Sequence, residues 1–138
     1  MSEQNFEERK LRAMKMVNEL PFSKLIGMQM VEMSHGEAVI EIDMRDDLRH
    51  PGGILHGGVT ATLIDTAMAF AIRSHLDDDV MTATIDLTVH YLRPHIAGKI
   101  TCTSRVVKAG KRIFTVAADV VNAEGKLVAT GISSYTTV

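Results

Sequence analysis

The segment from Gly57 to Ile72 constrains the fold more than any other part of the chain. It reads GGVTATLIDTAMAFAI, and Asp65 carries its only charge. The segment is long enough for a helix of about four turns. It is apolar on nearly every side, the pattern of a helix buried in a core. A lone carboxylate there is costly unless it is paired or hydrogen-bonded. Asp65 either has a structural role, bonding a neighbouring loop or capping a second helix, or belongs to a functional site, where perturbed carboxylates concentrate.

The start of the segment adds a geometric condition. Gly57 and Gly58 follow His56 at the helix N-terminus. The first backbone N–H groups of a helix lack partners within it and suit negative charge. Aimed at a carbonyl, they form an oxyanion hole. Asp65 lies eight residues beyond Gly57, roughly 12 Å along the axis at ~1.5 Å per residue. Reaction at one carbonyl carbon needs both groups within ~3 Å, and an aspartate side chain is too short to close that gap. If both groups serve one reaction, they come from different copies of the chain. The sequence then predicts a dimer with two shared sites.

A chain of 138 residues, 46% hydrophobic, fits one domain with a surplus of apolar surface for a subunit interface. A net charge of −2 gives no electrostatic footprint for nucleic acid. The single cysteine, Cys102, excludes an internal disulfide and reads as a small core residue of a strand. The N-terminus, SEQNFEERKLR, is charged and lacks the apolar core of a signal peptide. No apolar run reaches the ~20 residues of a membrane span. The expectation is a cytoplasmic protein with neither a nucleic-acid nor a membrane partner.

Residues 3–20 form a helix with one apolar stripe, Phe6, Leu11, Met14, Val17 and Leu20, ended by Pro21. A short turn, Phe22 to Ile26, leads to Gly27. Residues 28–34 and 37–44 form a hairpin around Ser34-His35-Gly36, and 45–55 form a loop. The apolar helix follows and ends near His75. Residues 80–93 alternate, with Met81, Ala83, Ile85, Leu87, Val89 and Tyr91 on a buried face and Thr82, Thr84, Asp86, Thr88 and His90 opposite. Strands at 99–108, 112–122 and 126–137 complete a meander with turns at Ala109-Gly110 and Glu124-Gly125. The predicted class is α+β: an antiparallel sheet of five or six strands wrapped around one long central helix. Residues 1–20 are an N-terminal helical extension, and 21–138 form the main domain.

The run HPGGILHGGVTATLIDTAMAFAI, followed by DLTVHYLRP and KAGKRIFTV, resembles the hotdog-fold acyl-CoA thioesterases of the phenylacetate-degradation type. The resemblance covers roughly residues 20–137, and its most specific part is His56-Gly57-Gly58 with Asp65 spaced along the same helix. It implies an acyl-CoA substrate, no cofactor beyond the CoA the substrate carries, and a homodimer at least, with many relatives forming homotetramers. It further implies that the Gly57 N–H polarises the thioester carbonyl. Asp65 of the partner subunit then acts as general base on water or as nucleophile, and His56 holds the thioester or the helix start. Thr84 falls where relatives carry a serine or threonine that positions the water. Strict alternation places it on the polar face, and a β-bulge would be needed to re-aim it. His50 stands where relatives often have asparagine. Gly58 joins the substrate-binding set.

Lys108, Lys111 and Arg112 around Gly110 are either solvated hairpin charge or, as in relatives, contacts to the phosphates of coenzyme A. Arg93 at the end of YLRP is either a structural donor or a further phosphate contact. No metal is expected. The histidines His35, His50, His56, His75, His90 and His95 form no close ligand pair, and no G-x-S-x-G nucleophile elbow occurs. Two rival functions remain. One is a non-catalytic acyl-CoA-binding module, which would not need Asp65. The other is a hydratase or dehydratase of the same fold, whose differently spaced histidine–carboxylate motif is not found here.

Overall fold

The computed structural model describes residues 3–138. Helix α1 spans Glu3–Glu19 and a short α2 spans Pro21–Ile26. Strands β1 (Met28–Ser34) and β2 (Glu37–Asp43) form the expected hairpin. A 3-10 turn at Asp46–Leu48 interrupts the following loop, and α3 runs Gly57–Arg73. Strands β3 (Thr82–Tyr91), β4 (Lys99–Ala109), β5 (Ile113–Asn122) and β6 (Leu127–Thr137) follow. They form one six-stranded sheet in the order β1-β2-β4-β5-β6-β3, antiparallel at every pairing.

The sheet wraps α3. Leu63, Ile64, Met68 and Ile72 are completely buried against Ile40, Ile42, Ile100, Val116 and Val120 of the strands. Each such side chain contributes about 1.5–3 kcal/mol of transfer free energy. Helix and sheet approach closely at Gly131 of β6, where a Cβ would stand 2.9 Å from Ile64 Cγ2. Glycine is required there by space.

Two helical expectations change. The segment 21–26 is a helix, not a turn. Pro21 opens it, because a proline at the first helical position loses no needed N–H and arrives with a helical φ. Gly27 closes it at φ 86°, donating its N–H to the Ser23 carbonyl at 2.7 Å. In α1 the buried residues are Phe6, Ala13 and Val17. Leu11 sits about 140° round the helix from Phe6 and faces solvent, and Leu20 lies past the helix end.

The two edges of the sheet are treated differently. At β1 the Asn18 side chain from α1 accepts from the Met30 N–H at 2.7 Å and donates to the Met30 carbonyl at 3.3 Å. Its amide stands in for a strand residue and covers part of that edge. β3, at the other edge, pairs only with β6. The predicted buried face of β3 is found only in its second half: Leu87 and Val89 pack against the core, whereas Met81, Ile85 and Tyr91 are each more than half exposed. The register on β6 slips between Thr84 and Asp86, which makes Ile85 a bulged residue. The extra residue inverts the alternation. Thr84 before it, and Leu87, Val89 and Tyr91 after it, face the helix, and Ile85 does not.

Candidate active site

The site begins at the first turn of α3. His56 is its N-cap: the ring Nδ1 accepts from the Gly58 N–H at 2.9 Å, and the His56 carbonyl accepts from Val59 N at 2.9 Å. This fixes the helix start and occupies the Gly58 N–H. The Gly57 N–H has no acceptor among the described residues. The Gly57 carbonyl is held by the Tyr91 hydroxyl at 2.6 Å. Gly57 lines a cavity of about 370 Å³ together with His50, Ile54, Tyr91 and Arg93. His50 Nδ1 accepts from the Gly52 N–H at 2.7 Å, so in the neutral ring the proton sits on Nε2. The cavity therefore offers three kinds of donor to an oxygen-rich ligand: a free helix-terminal N–H, an imidazole N–H and a guanidinium.

Asp65 lies two turns further along α3. The expectation of a helix buried all round fails on this side. Ala61, Thr62, Asp65, Thr66 and Ala69 are only partly buried and form one open face. The sheet of one chain does not reach round to cover them. Thr62 and Thr66 return their hydroxyl protons to the Gly58 and Thr62 carbonyls, both at 2.8 Å, so neither competes for the carboxylate. Asp65 Oδ1 instead accepts from the Thr84 hydroxyl at 2.9 Å and from the Tyr135 hydroxyl at 2.5 Å. The bulge at Ile85 turns Thr84 toward the helix, and it is pinned by Asp86, whose Oδ1 accepts from Ser134 N at 2.8 Å and whose carbonyl accepts from the Ser133 hydroxyl.

Sequence reasoning missed Tyr135. Burial, followed by the hydrogen bond to Asp65 and its charge, pushes the Tyr135 phenol well above its ordinary value. The only signal for it was a tyrosine on the inward face of a terminal strand, and nothing in its spacing ties it to residue 65.

The basic residues do not form one group. Lys108, Gly110, Lys111 and Arg112 surround a hollow of about 460 Å³ with Ile113 and Thr115. Arg93 belongs to the Gly57 cavity instead. The two clusters sit at opposite ends of β6, since Val128 accepts from Arg93 N and Thr137 N donates to Arg112 O. Within a single chain the two sets line separate cavities. Cys102 is buried and its thiol is pushed up to about 12 by desolvation, a core residue with no nucleophilic character. Among the described residues no helix is long and apolar enough to cross a membrane, and no group of three or more His, Cys, Asp or Glu could hold a metal ion.

Comparison with known proteins places this geometry. Residues 52–129 match the Thioesterase superfamily. The chain is 32% identical over 108 residues to the acyl-coenzyme A thioesterase PaaI of Escherichia coli, covering 78% of this chain and 75% of that protein. It is 30% identical over 113 residues to human acyl-coenzyme A thioesterase 13, covering 80% of each. Its fold superposes on the structure of the E. coli PaaI protein from the phenylacetic acid degradation operon with a TM-score of 0.87 at 25% identity, covering 99% of this chain and 96% of that one. The matched span contains the α3 start, Asp65, Thr84 and Arg93, and the chain belongs to the thioesterase superfamily as a hotdog-fold thioester hydrolase.

Proposed function

We propose that this chain hydrolyses acyl-CoA thioesters to the free carboxylic acid and CoA, at a site shared between two copies. One observation carries this reading. A helix N–H without an acceptor and a carboxylate held by two hydroxyls lie on one helix, too far apart to meet, beside an uncovered apolar edge strand. A twofold partner resolves that geometry. If β3 pairs antiparallel with its copy, centred on Thr88 and with Ile85 taken up by the bulge, Thr84 of one chain comes opposite the partner's Tyr91. Thr84 marks Asp65 and Tyr91 marks Gly57. The same pairing brings the basic hairpin of one chain toward the partner's Arg93, which reunites the two basic clusters.

In this reading the thioester oxygen accepts from the Gly57 N–H at the start of α3. Asp65 takes a proton from water as the water oxygen attacks the carbonyl carbon. The carbonyl electrons move to oxygen and are stabilised there by the N–H dipole. Collapse of the adduct breaks the C–S bond and expels the CoA thiolate, which takes up a proton. His56 holds the helix start, Thr84 and Tyr135 hold the carboxylate, and His50 with Gly58 frames the entrance. The acyl group enters a cavity of about 130 Å³ lined by Ala69, Phe70, Leu76 and Met81, one turn beyond Asp65 on the same open face. The hairpin cations and Arg93 meet the CoA phosphates through charge-assisted hydrogen bonds. The free Cys102 fits a reducing cytoplasm.

The test is release of free thiol from a panel of acyl-CoAs. Turnover that depends on Asp65 supports hydrolysis. Tight acyl-CoA binding without thiol release would instead identify a binding module, and consumption of an enoyl-CoA with the thioester intact a hydratase.

A further inference from the structure

Thr84 and Tyr135 direct their protons to the same atom. Both hydroxyls donate to Asp65 Oδ1, at 2.9 and 2.5 Å, and Tyr135 also lies 2.8 Å from the Asp65 carbonyl. Among the described residues no hydrogen bond reaches Oδ2. Tyr135 is 1% exposed, and its backbone is locked between Phe114 of β5 and Thr84 of β3. Its phenol is therefore fixed by the sheet, and the carboxylate is fixed by the phenol.

We infer that Tyr135 is a positioning residue of the hydrolysis, which clamps Asp65 by Oδ1 so that Oδ2 alone takes the proton of the attacking water. The inference rests on the acyl-CoA hydrolysis proposed above. Without the phenol, rotation about the Asp65 side chain would present either oxygen to Thr84, and the productive geometry would be one orientation among several. The phenol itself does not transfer a proton. Burial and the adjacent carboxylate hold its proton on throughout the working range, so it stays a donor at every relevant pH. The clamp also explains why the bulge at Ile85 is pinned twice by residues 133 and 134, the two positions before Tyr135. The stretch that aims Thr84 is the stretch that carries the phenol.

Two measurements test this. Tyr135→Phe removes one oxygen and keeps the ring. It should lower kcat by about ten- to a hundredfold with KM changed less than about twofold, as expected when an interaction orients the reacting group rather than binding substrate. The second measurement needs no turnover. The chain has two tyrosines and no tryptophan, so in a Tyr91→Phe background the ultraviolet phenolate signal reports Tyr135 alone. Tyr135 should stay un-ionised past the pH near 10 where a free tyrosine titrates, and adding Asp65→Asn should bring its titration down. A titration indifferent to Asp65→Asn overturns the clamp, whatever the enzyme does. A titration that moves while Tyr135→Phe keeps full kcat leaves a structural hydrogen bond and overturns the positioning role. A parent protein with no turnover on any acyl-CoA overturns the hydrolase reading and with it the role in catalysis, and the titration still reports whether the contact exists.

Discussion

Asp65 turns an otherwise apolar helix into a chemical device, and its surroundings show how. The carboxylate is neither a buried orphan nor an ordinary surface charge: two hydroxyls from different strands hold one oxygen. Asp65→Asn keeps the shape but can neither take a proton nor attack a carbonyl. It should lower kcat by at least about a hundredfold, the scale of a lost general base, with the circular-dichroism spectrum and CoA affinity retained. A variant turning over at close to the parental rate would remove Asp65 from the mechanism. The prominence of Asp65 was legible in the sequence because a lone charge in an apolar run has few physical excuses. Its partners were not. Thr84 looked outward under strict alternation, and only the bulge at Ile85 reverses that. A bulge leaves no reliable mark in the local residue pattern, because it is fixed by contacts with another strand, here Asp86 with Ser133 and Ser134.

At the scale of elements, the hairpins and α3 followed from periodicity and turn residues. The errors fell where tertiary contact overrides local pattern. Pro21 read as a stop, and α1 does end before it, but the same residue also starts α2, because its fixed φ suits a first helical position. β3 read as half-buried because its alternation is regular, yet it is the edge strand and its inner face changes at the bulge. The contact between α3 and β6 gives a direct prediction. Gly131→Ala would place a Cβ 2.9 Å from Ile64 Cγ2, and overpacking a core contact typically costs about 1–3 kcal/mol. A clear drop in melting temperature should follow, and an unchanged melt would mean that α3 sits further from the sheet. α1 is held partly by charge. Arg9 and Arg12 both reach Asp78, the latter at 2.8 Å. The Arg12 hydrogen bond is the main cause holding the Asp78 carboxyl below its ordinary 3.8. A depressed folded value stabilises above the unfolded value and loses that contribution as pH falls through the folded one. Asp78→Asn should therefore melt lower than the parent at neutral pH, by no more than the equivalent of about 0.5 kcal/mol for so exposed a pair. The gap should close below the unfolded carboxylate value and in high salt. A gap that persists in acid would place the effect elsewhere.

At the scale of the molecule, the two edges of the sheet are unequal. One sheet edge is covered by α1 through Asn18, and the other displays Met81, Ile85 and Tyr91 to solvent. Uncovered apolar edges are a liability that proteins resolve by pairing. The distance along α3 argued for two chains from the sequence alone, and the bare β3 edge supplies the place where they would join. The two basic clusters provide an independent check of that joining. Neutralising Lys108, Lys111 and Arg112 should raise KM for acyl-CoA more than it lowers kcat and should flatten the salt dependence of KM. Arg93→Ala should act in the same direction although it lies at the far end of its own chain. Neither change should matter for a truncated pantetheine thioester. Equal effects on both substrates would make these residues structural.

The shared site itself is tested most directly by complementation. Gly57 is the first residue of α3, where proline's fixed φ fits; it deletes the N–H and sets a Cβ 3.3 Å from the Tyr91 ring, which must shift by a few tenths of an ångström. His56 before it is already extended, at φ −60° and ψ 129°, as a residue preceding proline must be. Gly57→Pro and Asp65→Asn subunits should each be nearly inactive alone. Mixed in equal amounts and allowed to exchange, they form hybrid dimers in which one site carries both an intact Gly57 N–H and an intact Asp65. Random pairing should restore about one quarter of the parental activity. A mixture no more active than its two parents, in dimers shown to have exchanged subunits, would contradict a site built from two chains.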